Sequence, residues 1–121
     1  MLFLFMGCNS AISKFSGTYV AQNFVENIDS LILKKNGTYR RVIYNNQQKI
    51  LFENTSKWIY NDSKIIFSDF LINLDDLKYS NENVKYDNIL ITNYSSVENM
   101  FFSTKIVIDK DLNYYYEKIE D

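Results

Sequence analysis

The side chains able to do chemistry are few, and what is missing bounds the function more tightly than what is present. The chain has no histidine and one cysteine, Cys8. That removes Ser-His-Asp triads, Cys–His pairs and most zinc sites. Carboxylates remain: Asp75-Asp76, Asp69 and Glu117 are the candidates for an acid and a base. They fall in turns or on alternating strand faces with no sign of pairing, so they read as solvated surface acids. Asp109-Lys110-Asp111-Leu112-Asn113, with Glu120 eleven positions after Asp109, matches ligand positions of a calcium loop. The context opposes it: Tyr114 stands where the sharp turn needs glycine, and Lys105-Ile106-Val107-Ile108 before it reads as strand, so a plain hairpin turn is expected. Neither an enzyme, nor a metal site, nor a cofactor is expected from this inventory.

One charged residue stands out through its predicted position. Asn36-Gly37 between Leu31-Ile32-Leu33 and Thr38-Tyr39 is a strong short hairpin signal. A two-residue loop would pair Leu33 with Arg40. A three-residue loop of Lys35, Asn36 and Gly37, with Gly37 left-handed in a bulge, pairs Leu33 with Tyr39 and keeps Leu31, Leu33, Tyr39 and Ile43 on one face. The second register is preferred, and it places Arg41 opposite Leu31, looking into an otherwise apolar interior. Arg41 is therefore the candidate partner for an anionic group. The aromatic set Tyr39, Trp58, Phe67, Tyr114 and Tyr116, together with Tyr19, either lines a ligand cavity or packs as the core of a narrow barrel.

The elements that must carry these residues are strands. With 121 residues the chain fits one domain, and 46% hydrophobic and 17% aromatic content, including 10 Tyr and 9 Phe, suits half-buried pleated surfaces. There is no proline, and Asn, Asp and Ser supply the turns. Strands are expected at 17–22, 28–34, 38–44, 49–53, 57–60, 64–70, 85–94, 100–108 and 112–119, with 71–83 open between a strand continuation and a helical turn. The expected fold is all-β: an antiparallel up-and-down barrel or half-barrel of about eight to nine short strands. The net charge of -2, with scattered Lys and Arg, offers no basic stripe for nucleic acid.

Three segments are similar to small lipocalin-like bacterial lipoproteins. Ser16-Gly17-Thr18-Tyr19 resembles the lipocalin Gly-x-Trp with Tyr in place of Trp; Leu33 to Tyr39 resembles the first hairpin; Trp58-Ile59-Tyr60-Asn61-Asp62-Ser63-Lys64-Ile65-Ile66-Phe67 resembles a later one. In that family a basic residue covers the first-strand aromatic, and Lys118 is the candidate. Phe5-Met6-Gly7-Cys8 after Leu2-Phe3-Leu4 resembles the end of a lipoprotein signal peptide, without a basic n-region and with a short apolar run, as a truncated signal would have. The alternative is a buried N-terminal strand ending in a core cysteine.

The resemblance implies residues 1–14 as truncated signal and tether and 15–121 as a lipocalin-like domain. It implies lipidation at Cys8, attachment to a membrane of the bacterial cell envelope, and a periplasm-facing domain that binds a small apolar or amphipathic ligand. The candidate ligand residues are Arg41, Tyr39, Trp58, Phe67, Tyr114 and Tyr116. The competing reading is a protein-interaction lipoprotein, an inhibitor or toxin-neutralising partner, without a small-molecule ligand. A wide interior favours the first, and a filled interior with an apolar or acidic rim the second.

Overall fold

A computed structural model describes residues 12–73, 90–100 and 103–121. Cys8 and residues 74–89, which hold Asp75-Asp76, lie outside the described residues. The described chain forms eight strands: β1 (Gly17–Ala21), β2 (Asn27–Leu33), β3 (Thr38–Asn45), β4 (Ile50–Asn61), β5 (Lys64–Leu71), β6 (Leu90–Met100), β7 (Ser103–Asp109) and β8 (Tyr114–Glu120). Every strand pairs antiparallel with its sequence neighbour, and β1 pairs β8 to close the barrel. Closure satisfies the backbone groups an open sheet would leave at its edges.

The first hairpin takes the three-residue register. Leu33 pairs with Tyr39 and Leu31 with Arg41. Lys34 N donates to Thr38 O at 2.9 Å, and Gly37 takes φ 88° in the turn. Alternate residues of β2 and β3 then point inward, and Leu31, Leu33, Tyr39 and Ile43 are buried.

Two stretches differ from the expected strand pattern. The strands expected at 49–53 and 57–60 are one twelve-residue strand, β4, that begins at Ile50. Asn54-Thr55-Ser56 has turn-forming composition, but Asn54 and Ser56 use their side chains across the wall: Asn54 Nδ2 donates to Asp69 O at 2.8 Å and Ser56 Oγ to Asp69 Oδ2 at 2.9 Å. Likewise β6 runs on through Ser95-Ser96-Val97-Glu98-Asn99, expected as a break, and Ser95 is buried with Asn93 Nδ2 donating to its hydroxyl at 2.6 Å.

The wall is not uniformly laddered. β4 and β5 share four pairs, Trp58↔Phe67 to Asn61↔Lys64. Beyond Phe67 the pairing stops, and Asp69 takes φ 52°, a left-handed conformation that Asp tolerates better than most residues. The carbonyls of Ser68, Asp69 and Leu71 accept side-chain donors instead: Tyr39 OH bonds Ser68 O and Asp69 O, and Arg41 Nη1 bonds Leu71 O. Backbone acceptors that have left the ladder need partners, and the interior side chains supply them.

The two ends differ. A helical turn over residues 12–15 precedes β1, with Ser16 N donating to Ile12 O at 2.9 Å. Phe15 is buried and stacks on Tyr60 with ring centroids 4.9 Å apart. Tyr19 OH donates to Phe15 O at 2.8 Å, and Lys118 lies beside the Tyr19 ring while its Nζ donates to Lys14 O. The expected basic residue over the first-strand aromatic is thus Lys118. Gly17 makes this approach possible: at φ +139° a Cβ there would sit 2.6 Å from Glu120 O. The opposite end carries the β1–β2, β3–β4 and β7–β8 connections.

Candidate functional site

All six residues expected to line the interior are buried, but they form two groups and not one ligand chamber. Trp58 lies towards the helical turn, where its Nε1 donates to Lys34 O at 3.0 Å. Tyr39 and Phe67 meet edge to face at 5.2 Å, and Phe67 stacks on Phe70 at 4.8 Å. These rings contact one another directly, the offset and edge-on arrangements aromatic quadrupoles favour. At this level the described interior is packed side chain against side chain.

Arg41, Tyr114 and Tyr116 form the second group, around a residue the sequence reading missed. Asp29, fully buried, accepts Arg41 Nε on Oδ1 at 3.0 Å and Arg41 Nη2 on Oδ2 at 2.8 Å. Tyr116 OH donates to Oδ2 at 2.7 Å. Arg41 Nη2 also donates to Tyr114 OH at 3.2 Å, and the Phe70 ring lies 4.4 Å from the guanidinium carbon. The bidentate fork is the strongest ordinary carboxylate recognition, and it leaves a buried pair with no net charge. Arg41 therefore faces the interior as expected, with Asp29 already occupying the anion position.

Proton accounting orients the two phenols. The proton of Tyr116 goes to Asp29, so between the hydroxyls, 3.4 Å apart, Tyr114 is the donor. Tyr114 OH also accepts the backbone N–H of Asn73 at 3.3 Å. Burial raises both phenol pKa values above the ordinary range, although the Arg41 charge opposes it. For Arg41, burial alone would lower the pKa, but Asp29 beside it and the two phenols hold it above its ordinary value, so it stays charged.

Above this network, at the end away from the helical turn, lies a half-open pocket of about 190 Å³. Phe24, Leu112 and Tyr114 give it apolar walls; Gln22, Asn23, Asn73 and Asn113 give it amides. Phe24 meets Tyr114 edge to face at 5.1 Å. Asn23 Nδ2 donates to Asn113 O at 2.9 Å, clasping the β1–β2 connection to the β7–β8 turn. Both asparagines adopt left-handed backbone, φ 73° and 54°. The carboxylate of Asp109 accepts Leu112 N at 3.2 Å, as a hairpin-turn acid does. At its mouth Leu112 is 59% exposed.

Of the expected ligand residues only Tyr114 reaches this pocket. Asp29 was legible: it has the parity of Leu31 and Leu33, so the register that turns Arg41 inward turns Asp29 inward too, diagonal to it across the strands. The other pocket residues carried no such signal: Gln22, Asn23, Phe24, Leu112 and Asn113 sit on connections that approach one another only when β1 pairs β8, and Asn73 follows β5.

Fold and site together define a closed eight-strand up-and-down antiparallel barrel with a packed centre and a pocket at one end. No protein-family model, curated protein or solved structure matches the chain.

Proposed function

We propose that the chain is the binding domain of a lipoprotein of the bacterial cell envelope, anchored to a membrane through lipidated Cys8 and facing the periplasm, and that it holds a small amphipathic ligand at the open end of its barrel. The observation that carries the reading is the difference between the ends. The helical turn over 12–15, where the chain arrives from Cys8, plugs one end with Phe15. The half-open pocket of mixed polarity occupies the other. Tethered this way, the domain turns its plugged end to the membrane and its pocket away from it. A small, partly apolar site with a few placed polar groups is how proteins hold small molecules, and lipid on Cys8 supplies the lasting attachment. Binding, not catalysis, is the activity in this reading.

The test is native mass spectrometry of the protein purified from its own host. The reading expects a non-covalent small-molecule adduct that Phe24→Ala removes, and Cys8→Ser should move the protein from the membrane fraction to the soluble one with its β-sheet circular dichroism unchanged. Adduct-free protein, or a Cys8→Ser protein that stays on the membrane or loses its fold, contradicts it.

A second reading, a protein-interaction module, is the one that a filled interior with an apolar rim was expected to favour; the packed centre, the exposed Leu112 at the pocket mouth and a shallow groove of about 660 Å³ on the outer face of β2 to β4 support it, while the pocket at the open end supports the first. Ile28, Ile32, Val42, Tyr44 and Ile50 line it, with Arg40, ion-paired to Glu53, at its margin. A co-purifying polypeptide lost on Ile50→Asp is the result that selects this reading over the first.

A further inference from the structure

The chemistry of the end pocket narrows what it can hold. Among the described residues its polar side chains are four amides and the hydroxyl of Tyr114, which is already bonded to Arg41 and Asn73 N, and no charged side chain lines it. Beneath it, Arg41 and Asp29 neutralise each other. An anionic or cationic group entering the pocket would leave water without a counter-charge, which is costly. An extended acyl chain finds no slot below, because Tyr114, Tyr116 and Phe70 are buried in contact with one another and with the guanidinium.

The amides, by contrast, have capacity to spare. Gln22 commits its Nε2 to Val20 O, and Asn23 its Nδ2 to Asn113 O. The side-chain oxygens of both, and the whole side-chain amide of Asn113, make no hydrogen bond among the described residues. These groups offer acceptors and donors side by side, next to the apolar surface of Phe24. A ligand that suits them is uncharged, bears several groups that both donate and accept, and has an apolar face to lay on an aromatic ring.

We propose that the pocket takes one neutral saccharide unit of a glycan, its C–H face against Phe24 and its hydroxyls on Gln22, Asn23 and Asn113. The proposal rests on the open end being the binding site, and deepens that reading by naming the ligand class. The pocket volume suits a single ring, and its half-open form lets a longer chain continue past the exposed Leu112.

The experiment is two-dimensional NMR of the full domain titrated separately with maltose, cellobiose, N,N′-diacetylchitobiose and laurate. At least one sugar should shift the side-chain amide resonances of Gln22, Asn23 and Asn113 saturably. Phe24→Ala should weaken that binding by about tenfold or more while keeping the dispersed spectrum of the folded barrel. Asn113→Gly, which removes the amide at a left-handed position without strain, should weaken it as well. If laurate shifts these resonances and no sugar does, the saccharide class is wrong and the open-end reading stands. If no probe shifts them, both fall.

Discussion

At the end plugged by the helical turn, polar tips of large aromatic residues reach backbone carbonyls: Tyr19 OH to Phe15 O and Trp58 Nε1 to Lys34 O. At the other end the polar groups reach one another, through Asp29, Arg41, Tyr114 and Tyr116. The first arrangement satisfies a few uncharged groups and leaves packing to provide stability. The second buries two charges and depends on every partner being present, because each is costly to bury alone. The halves should therefore respond differently to mutation.

Removing one partner of the buried pair should have the largest effect. Arg41→Met leaves the Asp29 carboxylate buried without its cation and Leu71 O without its donor, and should cost about 3–5 kcal/mol by urea denaturation. Adding Asp29→Leu removes the stranded charge, so the double variant should be more stable than Arg41→Met alone. If the two changes add instead, the pair is not the unit that holds this half.

Phe67→Ala, in the stacked core, should cost about 3 kcal/mol with no rescue available from a second polar change. Gly17→Ala should cost about 2 kcal/mol, since the added methyl meets the Glu120 backbone at a positive φ; the measurement is the same denaturation series. Phe24→Ala, at the pocket, should cost about 1 kcal/mol or less and act on binding.

The pH response follows from the buried phenols. Tyr114 and Tyr116, like Tyr19 and Tyr39, have raised pKa values in the folded barrel because burial disfavours the phenolate. In the unfolded chain they ionise near pH 10. Their contribution is therefore fully present below about pH 10 and is lost above it, by up to about 1.4 kcal/mol per pH unit for each phenol that stays protonated when folded. Melting curves between neutral pH and pH 11 should show this loss, and Tyr114→Phe should reduce its slope.

Much of the barrel was legible because its signals are local. Asn36-Gly37 set one hairpin, and alternation from Leu31 to Ile43 then fixed which residues face inward, Arg41 included. Asn54, Ser56, Ser95 and Ser96 misled because their types favour turns, whereas here they serve long strands, with Asn54 and Ser56 bridging the gap between β4 and β5. That gap begins where Phe67 ends the ladder and Asp69 turns left-handed, which no residue pattern announces. The pocket was illegible for a related reason: Asn23 and Asn113 are ninety positions apart and meet only through barrel closure.

In the proposed function, ligand stops at the open end of the barrel and does not enter the packed centre. The single tryptophan makes this measurable, since Trp58 reports the plugged half, while Phe24→Trp combined with Trp58→Phe reports the pocket. Fluorescence of both proteins should be followed while titrating maltose, cellobiose, N,N′-diacetylchitobiose and laurate. The pocket reporter should change saturably with at least one probe while Trp58 emission stays constant. A saturable change in Trp58 with an unresponsive pocket reporter would place the ligand inside the barrel and contradict the proposed function.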